Sequence, residues 1–274
     1  MDLRRWLTAL IALPVLFLVL FYGGYRYFVL VLLLVNGVAQ WEFLGMLQPG
    51  SDWGRRLMAI ILGSLVLLSF CTAPRAPNLC NPSAPLFALV MCLFFLFLFY
   101  LLSYGHIEQL GWELAVNTLG LCYLPLLLGH YVWLRYLPGG EWWVAWILCV
   151  VFAGDTAAFY AGQVWGHKKL YPQVSPGKTW AGAVAGVAAS LLVGVGAGRY
   201  LLPGLSGVRL GYLALILGLL GLFGDLYESM LKRQVQVKDA GQVLPGHGGL
   251  LDRLDSLLFA APTVVYARLF VFGF

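Results

Sequence analysis

Apolar stretches of bilayer-spanning length follow one another along almost the whole chain, at 6–22, 27–47, 57–73, 86–104, 113–134, 142–162, 179–201, 209–231 and 257–273. A helix needs ~20 apolar residues to cross the hydrocarbon core, and within lipid only helices or closed barrels satisfy their own backbone. Stretches this long, without period-2 alternation, predict an all-α polytopic membrane protein: a bundle of about nine transmembrane helices with cytosolic loops carrying the chemistry. Of the residues, 61% are hydrophobic and only 11% charged. The N-terminal apolar run after Arg4 and Arg5 lacks a small-x-small cleavage site, so it is expected to remain as the first helix. Two parts are expected, a scaffold of helices at 1–141 and a chemistry-bearing part at 142–274.

Cations are distributed unequally between the two faces. Arg4, Arg5, Arg55, Arg56, Lys168, Lys169, Lys178, Lys232, Arg233, Lys238 and Arg253 fall on the side of the N-terminus, against Arg26, Arg75, Arg135, Arg199 and Arg209 on the other. Eleven against five places the N-terminus and the long polar loops in the cytosol by the positive-inside rule. The net charge of +5 fits cytosolic loops and anionic lipid, and no basic run has the aromatic interleaving that nucleic acid would require. No Cys pair has zinc-ligand spacing; Cys71 and Cys80 could meet on the outer face, although separate small apolar roles are the simpler account.

One polar run interrupts this apolar chain. The 27 positions from Ser229 to Asp255 hold three carboxylates, four cations, a histidine and four glycines. Gly246, Gly248 and Gly249 can turn successive backbone N–H groups toward one anion. Asp252 and Asp255, three residues apart, share a helix face and can reach one hard cation. Lys232, Arg233, Lys238 and Arg253 supply donors for phosphate oxygens, and His247 adds a donor or ligand. Salt bridging in a cytosolic loop would explain the cations but not the glycines followed directly by two acids.

Two further groups belong with this run. Asp225, Glu228, Ser229 and Lys232 lie at three- and four-residue offsets and form one helical stripe, and a carboxylate at Asp225 requires a cation or metal. A structural Asp225–Lys pair is the competing account. The loop at 166–180 contains Gly177-Lys178-Thr179, yet Pro172 stands where a phosphate-binding P-loop needs glycine. A helix start suits it better, with Ser175 or Thr179 as cap, Pro176 in the first turn and Lys178 beside the positive helix end. Asp155 lies deep enough in its span to need a partner. In the first half, Asn36 and Asn117 are expected to serve packing, and Glu42, near a helix end, to face water.

Ser229, Lys232-Arg233, Lys238-Asp239, Gly241, Leu244-Pro245, His247-Gly248-Gly249 and Asp252-Arg253-Leu254-Asp255 together resemble, in order and spacing, the signature of the phosphatidate cytidylyltransferases. Ser175-Pro176, Lys178-Thr179-Trp180 and Gly182 resemble a second family segment, from which Ala181 departs, and Asp155 falls in a third. The resemblance implies transfer of cytidylyl from CTP to phosphatidate in an inner membrane. It implies metal on Asp225 and Asp252, with Asp155, Glu228, Asp239 and Asp255 as weaker ligands. Mg²⁺ is the expected ion, with a second cation allowed, and a homodimer is implied as well. Lys178, Lys232 and Arg253 would act in catalysis beside those two acids. Ser175, Lys178, Thr179, Ser229, Lys232, Arg233, Lys238, His247, Gly248 and Gly249 would hold substrate phosphates. A CTP-dependent polyprenol or phytol kinase is the nearest alternative, and an ion-coupled transporter using Asp155 and Asp225 a more distant one.

Overall fold

The computed structural model describes residues 14–72, 83–241, 243 and 248–272. The protein is an all-α polytopic membrane protein with one short β-hairpin. Seven helical spans among the described residues are long and apolar enough to cross a bilayer. They do not reproduce the expected nine. The first expected span lies partly outside the described residues, which begin in a helical stretch at 14–21. Another, α2 (Trp53–Ser69), has 17 residues, at the short end of the spanning range of ~17–25.

Two compact units divide the chain: Met1–Leu137 with Asp239–Leu251 and Phe274, and Pro138–Lys238 with Asp252–Gly273. The first unit contains α1 (Gly24–Leu47), α2, α3 (Ser83–Leu102), α4 (Leu110–Tyr123) and α5 (Pro125–Tyr136). The expected helix at 113–134 is therefore two helices, because Pro125 cannot donate a backbone hydrogen bond and starts α5 at its first turn. Asp52 caps α2 by accepting the Gly54 N–H at 2.9 Å. Polar side chains in this unit meet one another: Arg55 meets both Glu113 oxygens at 2.9 and 3.0 Å, and Asn117 donates to the Tyr100 hydroxyl at 3.0 Å and the Glu113 carbonyl at 2.8 Å. Gln40 donates to Asn36 at 3.4 Å. The packing role expected of both asparagines agrees with these contacts. Cys71 is a free thiol, and Cys80 lies outside the described residues.

The second unit is built from α6 (Gly140–Trp165), the hairpin β1 (Lys169–Tyr171) and β2 (Ser175–Thr179), α7 (Trp180–Leu201) and α8 (Gly207–Gln234). It continues through α9 (Leu251–Leu258, whose first residue falls in the other unit), α10 (Ala260–Tyr266) and a π-helical end at Ala267–Phe272. Its packing follows from small residues. Gly182, Gly186, Ser190, Gly194 and Gly198 recur every fourth position and form the buried face of α7. Small residues at that spacing let helix backbones approach closely in lipid, where no hydrophobic force draws helices together. A Cβ at Gly182 would lie 2.6 Å from the Ala158 carbonyl oxygen. Two hydrogen bonds hold the same seam: Trp146 Nε1 to the Gly194 carbonyl at 2.8 Å, and Ser190 Oγ to the Val150 carbonyl at 3.1 Å. Arg268, a buried intramembrane cation, donates to the Pro138 carbonyl at 3.0 Å and stands 4.9 Å from the Trp143 ring centre.

A Gly194→Val substitution should break this seam, since its side chain would meet Ala214, Val150 and Trp146. The expected cost is about 2–3 kcal/mol, seen as a lower Tm in detergent. An unchanged Tm would show that α7 can slide without loss.

Candidate functional site

The hairpin corrects the helix start expected at Ser175. Ser175 and Pro176 lie in β2, whose register pairs Lys169 with Thr179 and Tyr171 with Ser175. Thr179 alone caps α7, its Oγ1 accepting the Gly182 N–H at 3.1 Å. Proline is acceptable here because a two-stranded hairpin consists only of edge strands. Lys178 is thereby placed on a strand directly before a helix N-terminus.

Lys178 Nζ lies 2.7 Å from Asp225 Oδ2, so the acid on α8 is paired with the hairpin rather than with its own helix. Ser229 Oγ donates to the other oxygen, Asp225 Oδ1, at 3.3 Å. One turn further along, Lys232 Nζ reaches Glu228 Oε1 at 3.0 Å and Asp252 Oδ1 at 2.7 Å. Glu228 is fully buried and Lys232 is 9% exposed, so this triad joins α8 to the start of α9 with little water around it. Asp252, Arg253 and Asp255 all belong to α9, which begins six residues before the predicted span. Asp255 Oδ1 accepts its neighbour's N–H, from Ser256, at 2.7 Å, and the Ser256 hydroxyl is a hydrogen-bond partner of Asp155.

Several of these groups line one cavity of about 940 Å³, whereas Glu228, Ser229 and Lys232 are not among its lining residues. Asp155, Asp225, Asp252 and Asp255 line it together with Lys178, Arg253, Ser175 and Thr179. Its wall continues along α7 from Thr179 to Ser190, ~16 Å down the helix axis, past glycines and Leu217. One part is therefore charged and the other nearly featureless and apolar. Lys169, Thr156, Gln163 and Ser256 also line it and were not singled out as site residues in the sequence. Lys169 follows His167-Lys168 in the same loop, and only its strand pairing distinguishes it from Lys168.

Other expected residues are placed differently. Arg233 donates Nε to the Val174 carbonyl at 3.2 Å and Nη1 to Val237 at 3.1 Å, tying the hairpin turn to the end of α8. The Val237 N–H donates to the Lys232 carbonyl at 3.0 Å across Gln236 at φ 57°, a left-handed helix stop. Lys238 and Asp239 are exposed in the following loop. Gly248 has φ 79°, the positive value expected of the glycine motif, and lies with Gly249 in the first unit. His247 lies outside the described residues.

The donor set suits a hard divalent ion in one particular way. All four acids lining the cavity offer oxygen, and an ionised carboxylate has about four lone-pair sites, so a lysine contact does not exhaust it. Among the described residues, no three His, Cys, Asp or Glu side chains cluster as a complete cage. Mg²⁺ takes one or two carboxylates and completes its shell with water and substrate phosphate, so the residues that could hold it here are Asp225 and Asp252.

A helical membrane protein whose cavity is lined by acids and cations in one part and by small and apolar residues in another is of the class that can take up a charged reactant. A model of the cytidylyltransferase family matches residues 3–271, and the chain belongs to that family of enzymes. It is 32% identical to a phosphatidate cytidylyltransferase of Synechocystis sp., over 97% of this chain and 96% of that protein. It is 33% identical to the uncharacterized protein YnbB of Escherichia coli, over 81% of each chain. With the phosphatidate cytidylyltransferase of Helicobacter pylori it shares 46% identity over 43% of this chain and 44% of that one.

Proposed function

We propose that the enzyme transfers the cytidylyl group of CTP to phosphatidate, giving CDP-diacylglycerol and pyrophosphate. The observation that carries the reading is the cavity with a charged end at Lys178, Asp225, Asp252 and Arg253 and an apolar wall along α7. Such a space takes a triphosphate from water and a lipid phosphate from the bilayer. The relatives named phosphatidate cytidylyltransferase support the same substrate pair.

The attacking group is a phosphate oxygen of phosphatidate, already anionic at neutral pH, so no general base is assigned. It attacks the α-phosphorus of CTP; the bond to the β-phosphate oxygen breaks, and pyrophosphate leaves with that electron pair. The obstacle is repulsion between two polyanions. Lys178 and Arg253 at the cavity place positive charge where the phosphates would meet, and such preorganised charge counts most as negative charge develops. Lys232 orients the Asp252 carboxylate, and Lys178 with Ser229 orients that of Asp225. Asp225 and Asp252 would hold Mg²⁺, with Asp155 and Asp255 beside them; bound there, the ion would neutralise and align phosphate oxygens. Thr179 and Ser175 offer hydroxyls at the same end. Arg233 acts through the hairpin rather than on phosphate. The inner-membrane location, cytosolic placement of the site and homodimer belong to this proposal.

Purified protein given phosphatidate, labelled CTP and Mg²⁺ is expected to yield labelled lipid with one pyrophosphate per turnover. Release of CDP with a phosphorylated lipid alcohol would instead establish the kinase chemistry and overturn the proposal.

A further inference from the structure

We propose that Glu42 is a positioning residue that holds both ends of the glycine-bearing segment and sets the start of α9. The consequence for turnover rests on the reading of Asp252 given above; the contact itself does not.

Glu42 stands on α1, 209 positions from its partner, and nothing in the local sequence marks it out. It does not face water as expected: it is 4% exposed. A carboxylate buried in a membrane protein is costly and persists where specific groups meet it. Its Oε2 accepts the backbone N–H of Leu251 at 2.9 Å. That N–H belongs to the first residue of α9 and has no partner within the helix, and a carboxylate there also complements the positive helix end.

The second contact comes from the other end of the segment. A Cβ at Gly241 would run into the Glu42 carboxyl group. Glycine at 241 thus has a steric cause, the close approach of the chain to Glu42. One side chain therefore touches residues 241 and 251, and Gly248 and Gly249 lie between these anchored ends. Asp252 follows Leu251 directly, and its side chain is held by Lys232 at 2.7 Å. Glu42 holds the N–H of the residue before it, and Lys232 its carboxylate. A positioning role of this kind is distinct from contact with substrate, and groups that orient a ligating residue commonly matter ~10–100-fold to activity.

The test uses the full-length protein in lipid nanodiscs, comparing E42A, E42Q and G241A by hydrogen–deuterium exchange and by turnover per folded molecule. In E42A, amides over 248–254 should exchange roughly tenfold faster or more, while peptides from α2 to α5 exchange as in the wild type. Turnover should fall roughly 10- to 100-fold, with a higher Mg²⁺ concentration needed for half-maximal rate. E42Q keeps an oxygen acceptor and should retain most of the protection and turnover. G241A pushes on the carboxyl group from the opposite end and should reproduce E42A. Unchanged exchange over 248–254 in E42A would overturn the proposal, as would a rise spread equally over α1 to α5. If E42A is not recovered folded, G241A decides: wild-type exchange there overturns it. A D252N enzyme that turns over normally, beside an E42A enzyme with a loosened segment, would sink the metal assignment and leave Glu42's role intact.

Discussion

Replacing Asp252 or Asp225 by Asn is expected to abolish cytidylyl transfer while leaving the protein inserted and folded. Each change keeps the side-chain volume and one oxygen acceptor, so the contact to Lys232, or at residue 225 the contact to Lys178, can persist, with the new amide N–H turned to the Ser229 oxygen. What is lost is the negative charge that the proposed divalent ion would require. A Lewis-acid contribution of several kcal/mol, at ~1.4 kcal/mol per tenfold, corresponds to a loss of roughly 10³-fold or more in kcat. Transfer of label from CTP to lipid across a Mg²⁺ titration measures it. Wild-type rates in both variants would remove these acids from the metal site and leave the lysine contacts as purely structural pairs.

Lys232→Met is expected to fail differently, in stability as well as rate. Its ammonium group is shared by Glu228 at 3.0 Å and Asp252 at 2.7 Å, and Glu228 is fully buried. Removing the cation leaves two acids facing each other in a dry setting, a loss of about 3–5 kcal/mol for a broken buried ion pair. A large fall in Tm should accompany loss of turnover. Adding Glu228→Gln should restore much of the Tm by removing one buried charge, yet not the rate, because Asp252 still lacks its orienting cation. Recovery of both together would mean that Lys232 serves the fold alone; no change in Tm would mean that the triad is not what joins α8 to α9.

Much of the site could be read in the residues because its spacing is local. The α8 stripe of Asp225, Glu228, Ser229 and Lys232 follows from the helical period, and the structure shows two of its pairs in contact at i, i+4. The hairpin could not be read in the same way. Strands of three and five residues carry no periodic signal, and Ser175-Pro176 imitates a helix start as well as it fits an edge strand. Thr179 was nominated as one of two caps and serves as the cap; Ser175 does not. Arg233 illustrates the same limit. Its type and place in the polar run suggest phosphate, whereas its donors turn to the carbonyls of Val174 and Val237.

Residue order alone determined that this chain is helical and membrane-embedded, because backbone in lipid must satisfy itself within each span. It also determined which polar residues stand out, because charge is costly in that setting wherever nothing binds it. Partner choice was decided only in three dimensions. Asp225 meets Lys178 and not Lys232, Lys232 joins α8 to α9, and Glu42 meets Leu251 from 209 residues away. The physical reason is range: helix period and hydropathy act over a few residues, while an ion pair or a capped N–H depends on which backbones lie within ~3 Å after packing. Within the second unit, the small-residue face of α7 lets α6 and α8 come close, and its glycines line the cavity together with the acids.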